Sequence, residues 1–177
     1  MNWFALSGLF CFVTALGLGL FSLLKGREFL HKIWAAFNFA VAIWGISAFK
    51  FSTESNPESV FFWLGVGHIG VILIPPLYLH FVFQLLQIPK RKILPGVYAL
   101  GLLFLTVNLT DRLGLTRLFI TNLRYVFNSF FVDSPPGLLY PAFVIFFFSV
   151  VSYGLYRAMK IFEVADGKRQ AQIKLFI

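Results

Sequence analysis

The chain has 177 residues, 59% hydrophobic, 19% aromatic and only 12% charged, with a mean hydropathy of +0.82. A soluble domain is about 45–50% apolar and about 25% charged, so this composition excludes an ordinary water-soluble fold and points to an integral membrane protein. The net charge of +8 does not imply nucleic acid, because Lys and Arg flank apolar blocks instead of forming a stripe on a polar face. The single cysteine, Cys11, excludes an internal disulfide framework and any cysteine-cluster metal site.

A membrane-crossing helix needs about 20 mainly apolar residues. Five blocks qualify: about 3–24, 33–51, 60–88, 93–110 and 138–162. The first has no basic stretch ahead of "NWFALSGLF" and reads as an anchor, not a cleaved leader. Small residues four apart, Ala15 with Gly19 and Ala36 with Ala40, suit close helix packing, as does the run Gly65, Gly67, Gly70. The third block would be about 43 Å long at 1.5 Å per residue, against a hydrocarbon core about 30 Å thick, so it must tilt, bend or protrude. Pro75 and Pro76 lie near its middle and offer the bend. Asn108-Leu-Thr110 matches a glycosylation sequon but falls at a span end, where chance is the simpler reading.

The segment 111–137 is read as an external loop. Its portion from Arg124 to Asp133 is rich in strand formers, and Ser134-Pro-Pro-Gly137 breaks regular structure. A short hairpin or an interfacial helix is expected there, either capping the headgroups or covering an outward-facing pocket. Arg112, Arg117 and Arg124 read as headgroup or solvent contacts, with an anionic ligand as the alternative. After the fifth block a basic stretch leads into Ile173–Ile177, which reads as the start of a sixth span in a fragment of a longer protein.

The connections separate by charge. Lys25, Arg27, Lys32, Lys90, Arg91, Lys92, Arg157, Lys160, Lys168, Arg169 and Lys174 fall on one side, against Lys50, Arg112, Arg117 and Arg124 on the other. The positive-inside rule then places the N-terminus outside and the basic turns in the cytoplasm. The expected fold class is an all-α integral membrane bundle of five complete spans plus the start of a sixth, multi-pass in the inner (cytoplasmic) membrane.

Ionisable groups are costly in hydrocarbon, so each marks a candidate site. His68 and His80 share the third span but are twelve residues apart. That is about 18 Å along a helix and about 120° around it, so the pair cannot hold one metal ion. His80 and Gln84 share a face, and Asn38 and Asn108 add polar groups on neighbouring spans. Either these make inter-helix hydrogen bonds, or they form a cluster that contacts a ligand or responds to protons. A water-filled outer vestibule would reach His68. No Asp or Glu falls inside the five blocks as drawn, and no nucleophile elbow, zinc-protease motif or phosphate-binding glycine loop is present.

Four stretches together resemble the N-terminal seven-helix sensor region of bacterial and archaeal histidine kinases. They are "FNFAVAIWGISAF" in the second span, "FWLGVGHIGVILIPPLYLHFVFQL" in the third, "GLLYPAF" opening the fifth, and "GKRQAQIKL" before the sixth. The matching positions are Asn38, Trp44, Trp63, Pro75, Pro76, His80, Phe81, Gly137, Tyr140, Arg169 and Gln170. The resemblance implies an input module whose helices feed a cytoplasmic transmitter such as a kinase or a diguanylate cyclase. This chain departs from it by stopping within the sixth helix, so no kinase claim rests on the residues present.

The expected function is therefore a membrane-embedded signal-input domain that detects a ligand or a membrane state and relays it by helix rearrangement. A transporter or channel fragment is the competing class, and would want charged residues within spans. A membrane enzyme or assembly subunit is the third, and would want further ligands for the histidines. Candidates for ligand contact or switching are Asn38, Trp44, His68, Pro75, Pro76, Tyr78, His80 and Gln84. No catalytic residue, metal or cofactor is expected in this fragment. The expected partners are the bilayer, an unknown small-molecule or membrane stimulus, and a second copy of the chain in a full-length homodimer, with no nucleic acid.

Overall fold

A computed structural model describes residues 3–88, 92–119, 123–126, 129–132 and 137–162, the two segments within 123–132 as backbone. Five helices dominate: α1 (Trp3–Lys25), α2 (Phe29–Thr53), α3 (Pro57–Leu85), α4 (Ile93–Arg112) and α5 (Tyr140–Phe162). All five are long and apolar enough to cross a membrane. Between α4 and α5 lies an antiparallel ribbon, β1 (Leu123–Val126) with β2 (Ser129–Val132), in the register Leu123↔Val132 to Val126↔Ser129. The predicted sixth span near 173 and the turn with Arg169 and Gln170 lie outside the described residues.

Helix α1 inverts the pattern of a soluble amphipathic helix. Its buried stripe is Ala5, Gly8, Ala15, Gly19 and Ser22, while Trp3, Phe10, Phe21 and Leu24 face outward. Lipid solvates large apolar side chains as well as protein does, so helices associate through the small residues that let backbones touch. The tightest α1–α2 approach is at Gly8 and Gly45. A Cβ added to Gly45 would lie 2.7 Å from Phe12 N and 2.9 Å from Gly8 O. Farther along, the Ser22 hydroxyl donates to the His31 carbonyl at 3.1 Å, closing the antiparallel pair.

Helix α3 is the spine. It starts at Pro57, ahead of the apolar block, because the Asn56 side chain accepts from Glu58 N at 2.9 Å and Pro57 occupies the first turn, where its missing N–H costs nothing. Its three glycines face two neighbours: Gly65 meets Arg112 of α4, Gly67 meets Ser47 of α2, and Gly70 meets Ala40 and Trp44 of α2. α5 runs in the same direction as α3, and its inward stripe Phe143, Phe146, Val150 and Ala158 completes a core with Leu64, Ile72, Leu79 and Phe83 of α3 and Phe104 of α4. This packing gathers Lys25, Arg27, Lys32, Lys92, Arg157 and Lys160 at one end of the bundle, and Lys50, Arg112 and Arg117 at the other.

Candidate functional site

At the end away from the basic turns, α4 continues to Arg112 and so carries Asp111, which is only 5% exposed. This corrects the expectation of a span free of carboxylates: the hydropathy of the block ends at 110, but the helix does not. The carboxylate is committed to the chain that follows it. Its Oδ1 accepts the Thr116 hydroxyl and Leu118 N–H (3.0 Å), and its Oδ2 accepts Phe119 N–H at 2.6 Å. Leu139 N–H donates to Leu118 O at 2.8 Å and Gly137 N–H to Phe119 O at 3.2 Å, so the approach to α5 is tied to the same short segment.

The clamp drives Phe119, fully buried, into the bundle. Its ring meets His68 (5.3 Å, edge-on), Phe104 (6.3 Å), Tyr140 (5.4 Å) and Phe143 (5.3 Å). His68 donates from Nδ1 to the Leu64 carbonyl at 2.7 Å, since a carbonyl can only accept, which leaves Nε2 as the acceptor of the neutral ring. Tyr140 also lies edge-on to His68 at 5.9 Å. His68 is thus the one imidazole within an aromatic plug formed by α3, α4, α5 and the loop residue Phe119.

Mid-bundle, the α-helix of α3 continues through Pro75 and Pro76, both buried. Neither can donate to the carbonyl one turn back, at Val71 and Ile72. The Pro76 ring fits against α4 at Gly101, where an added Cβ would lie 3.5 Å from Cγ. Tyr78 presses on α5: a Cβ on Gly154 would come within 2.6 Å of its Cε1. On α2, the Asn38 amide donates to Trp34 O of its own helix at 2.8 Å, and the backbone of half-buried Trp44 abuts Gly70. Asn108, buried, donates to Gly65 O across the α3–α4 contact at 3.0 Å; that burial removes it as a glycosylation acceptor.

Towards the basic end, His80 Nδ1 and Tyr98 Oη of α4 are hydrogen-bonded at 3.0 Å, the phenol donating when Nδ1 is the bare nitrogen. Phe29 at the start of α2 packs edge-on to the same imidazole at 5.8 Å. Gln84 lies one turn on and is half-buried. Trp34 of α2 covers Phe81 at 4.7 Å. Arg157 of α5 donates to Tyr153 Oη at 3.0 Å and lies 5.7 Å over the Phe83 ring, bridging α5 to α3 at the basic end.

The structure therefore divides the expected candidates between two clusters. His68 belongs to the outer plug; His80, with Gln84 beyond it, belongs to the inner one; Pro75, Pro76 and Tyr78 lie between them, and Asn38 and Trp44 sit on α2. Sequence reasoning missed Asp111, Phe119 and Tyr98. Asp111 carries a signal of its own, because an acid in the last turn of a helix opposes the macrodipole and calls for specific donors. Phe119 carries none among 24 phenylalanines.

The family model described as the N-terminal 7TM region of histidine kinase matches residues 7–177 of the chain. No curated protein and no solved structure gives a significant match.

Proposed function

We propose that this chain, which belongs to the family of N-terminal 7TM regions of histidine kinase, senses a ligand or a membrane state at its Phe119–His68 end and relays it along α3 to the basic end. As the sensor region of a histidine kinase it is a multi-pass membrane module and is not itself the catalytic part. The observation that carries the reading is that one helix, α3, touches both clusters and holds the proline pair between them. A helix that lacks two backbone donors at its middle has a weaker ladder there than elsewhere, and differential contacts at one end can bias its arrangement.

The gathering of basic residues at one end supports an orientation with that end in the cytoplasm and the N-terminus outside, in the inner membrane. The test uses the full-length protein with its own output domain in proteoliposomes. Phe119→Ala, and separately Pro75→Ala with Pro76→Ala, are expected to fix the output at one level whatever the stimulus or lipid composition. Wild-type output range in both variants would remove the relay.

A further inference from the structure

Between the start of α3 and the end of α4 lies a groove of about 440 Å3, lined by Glu58, Phe61, Phe62, Leu109, Arg112 and Leu113. That volume is within the usual range of about 300–1,000 Å3 for small-molecule sites. The groove lies on the outer surface of the bundle and not in its interior, since Phe62, Leu109 and Leu113 are 49%, 42% and 74% exposed. Two of its six lining residues are charged, one of each sign.

The Arg112 charge is positioned by its neighbours, and the exposed Glu58 stands on a fixed stretch of backbone. The Arg112 stem lies across Gly65, where an added Cβ would meet Cδ at 2.5 Å and Cγ at 2.7 Å. Its guanidinium sits 4.7 Å over the Phe62 ring. Glu58 belongs to the first turn of α3, whose N–H the Asn56 side chain accepts. Among the described residues the ion pair of this end is Lys50–Glu54, at 3.4 Å, so Arg112 has no carboxylate at bonding distance.

We propose that this groove binds a zwitterionic phospholipid whose headgroup joins a phosphate to a primary ammonium. The guanidinium fork of Arg112 donates to the phosphate oxygens, the Glu58 carboxylate accepts from the ammonium N–H groups, and Phe62, Leu109 and Leu113 flank an acyl chain. The acid supplies selectivity: a purely anionic headgroup brings its phosphate near an unpaired carboxylate, and a quaternary ammonium offers no N–H to accept. Binding at this site does not depend on the signalling role proposed above.

The test reconstitutes the full-length protein in nanodiscs of phosphatidylethanolamine, phosphatidylcholine and phosphatidylglycerol in equal parts, and counts retained lipid by native mass spectrometry. The wild type is expected to retain phosphatidylethanolamine over the other two by roughly fivefold, the upper end for an exposed ion pair. Glu58→Gln, at an exposed position that leaves the fold alone, should lose the preference over phosphatidylglycerol. Arg112→Gln should lose retention of all three, and Arg112→Lys should restore part of it. Equal retention by the wild type, or an unaltered preference in Glu58→Gln, overturns the proposal. Displacement of the lipid by soluble phosphoethanolamine would also overturn it, by transferring the site to a water-borne ligand.

Discussion

Removing the Asp111 carboxylate should release the segment that drives Phe119 into the bundle. In Asp111→Ala, Phe119 N–H loses its acceptor inside a fully buried residue, which costs about 1–3 kcal/mol. Leu118 is exposed and Thr116 half-buried, so water can replace the carboxylate there and each lost bond is worth only about 0.5–1 kcal/mol. The local cost is then about 2–5 kcal/mol, a thirtyfold or greater rise in segment opening. Asp111→Asn keeps one acceptor oxygen but turns an NH2 towards a donor, and should fall between. Hydrogen exchange of the full-length protein in nanodiscs reads this directly, with faster exchange expected at residues 118 and 119 and little change in α3 between Ile72 and Leu79. Unaltered exchange at Phe119 would refute the clamp. Equal acceleration throughout α3 would show instead that Asp111 stabilises the whole bundle.

Two further outcomes follow from the packing. Gly45→Leu should lower the thermal midpoint of the purified protein by an amount equivalent to about 1–3 kcal/mol, because its Cβ would be 2.7 Å from the Phe12 backbone nitrogen, which has nowhere to move. Gly17→Ala, with nothing within 4 Å of the added carbon, should leave the midpoint unchanged or raise it; a loss in both would mean that the crossing geometry is not the cause. A double-mutant cycle of His80→Phe and Tyr98→Phe should give a coupling of about 0.6 kcal/mol and no more than about 1.7 kcal/mol in unfolding free energy, as membrane hydrogen bonds do; zero coupling would dissolve the pair.

The five helices were legible because apolar blocks long enough to cross a bilayer are rare by chance, and because "LIPPLYLHF" and its companions carry a family pattern. Partnerships were harder to read. Ala15 with Gly19 and Ala36 with Ala40 predict that backbones approach, yet the closest crossing is Gly8 with Gly45, since spacing along one helix cannot say which small residue meets which. His80 was expected either to bond across helices or to join a responsive cluster with Gln84, and Tyr98 of α4, which the sequence did not single out, is the partner that reaches its imidazole. Asp111 was hidden by hydropathy, which measures where apolar side chains stop and not where the helix does. Gly8 with Gly45 and His80 with Tyr98 join different helices, whereas Asp111 closes on the segment that follows its own helix.

The two halves of α3 are held by different physics, and the proline pair divides them. Before it, Gly70 meets the α2 backbone at Ala40 and Trp44, Gly67 meets only the small Ser47, Gly65 carries the Arg112 stem, and Asn108 bonds straight to the Gly65 carbonyl, beside the His68 ring contacts. The Gly70 contact is rigid, because moving either backbone by a few tenths of an ångström meets the other backbone or opens a void. After it, Tyr78, His80, Phe81 and Phe83 meet α2, α4 and α5 through rings and one hydroxyl, at centroid distances of 4.7–6.5 Å. Ring pairs are held in offset or edge-on arrangements over a range of centroid distances of about 4.5–7 Å, so they admit more than one packing. On the proposed reading, a change at the Phe119 end is therefore passed through a stiff half-helix and expressed as repacking of the aromatic half, where Phe83, Tyr153 and Arg157 couple α3 to α5 beside the basic end.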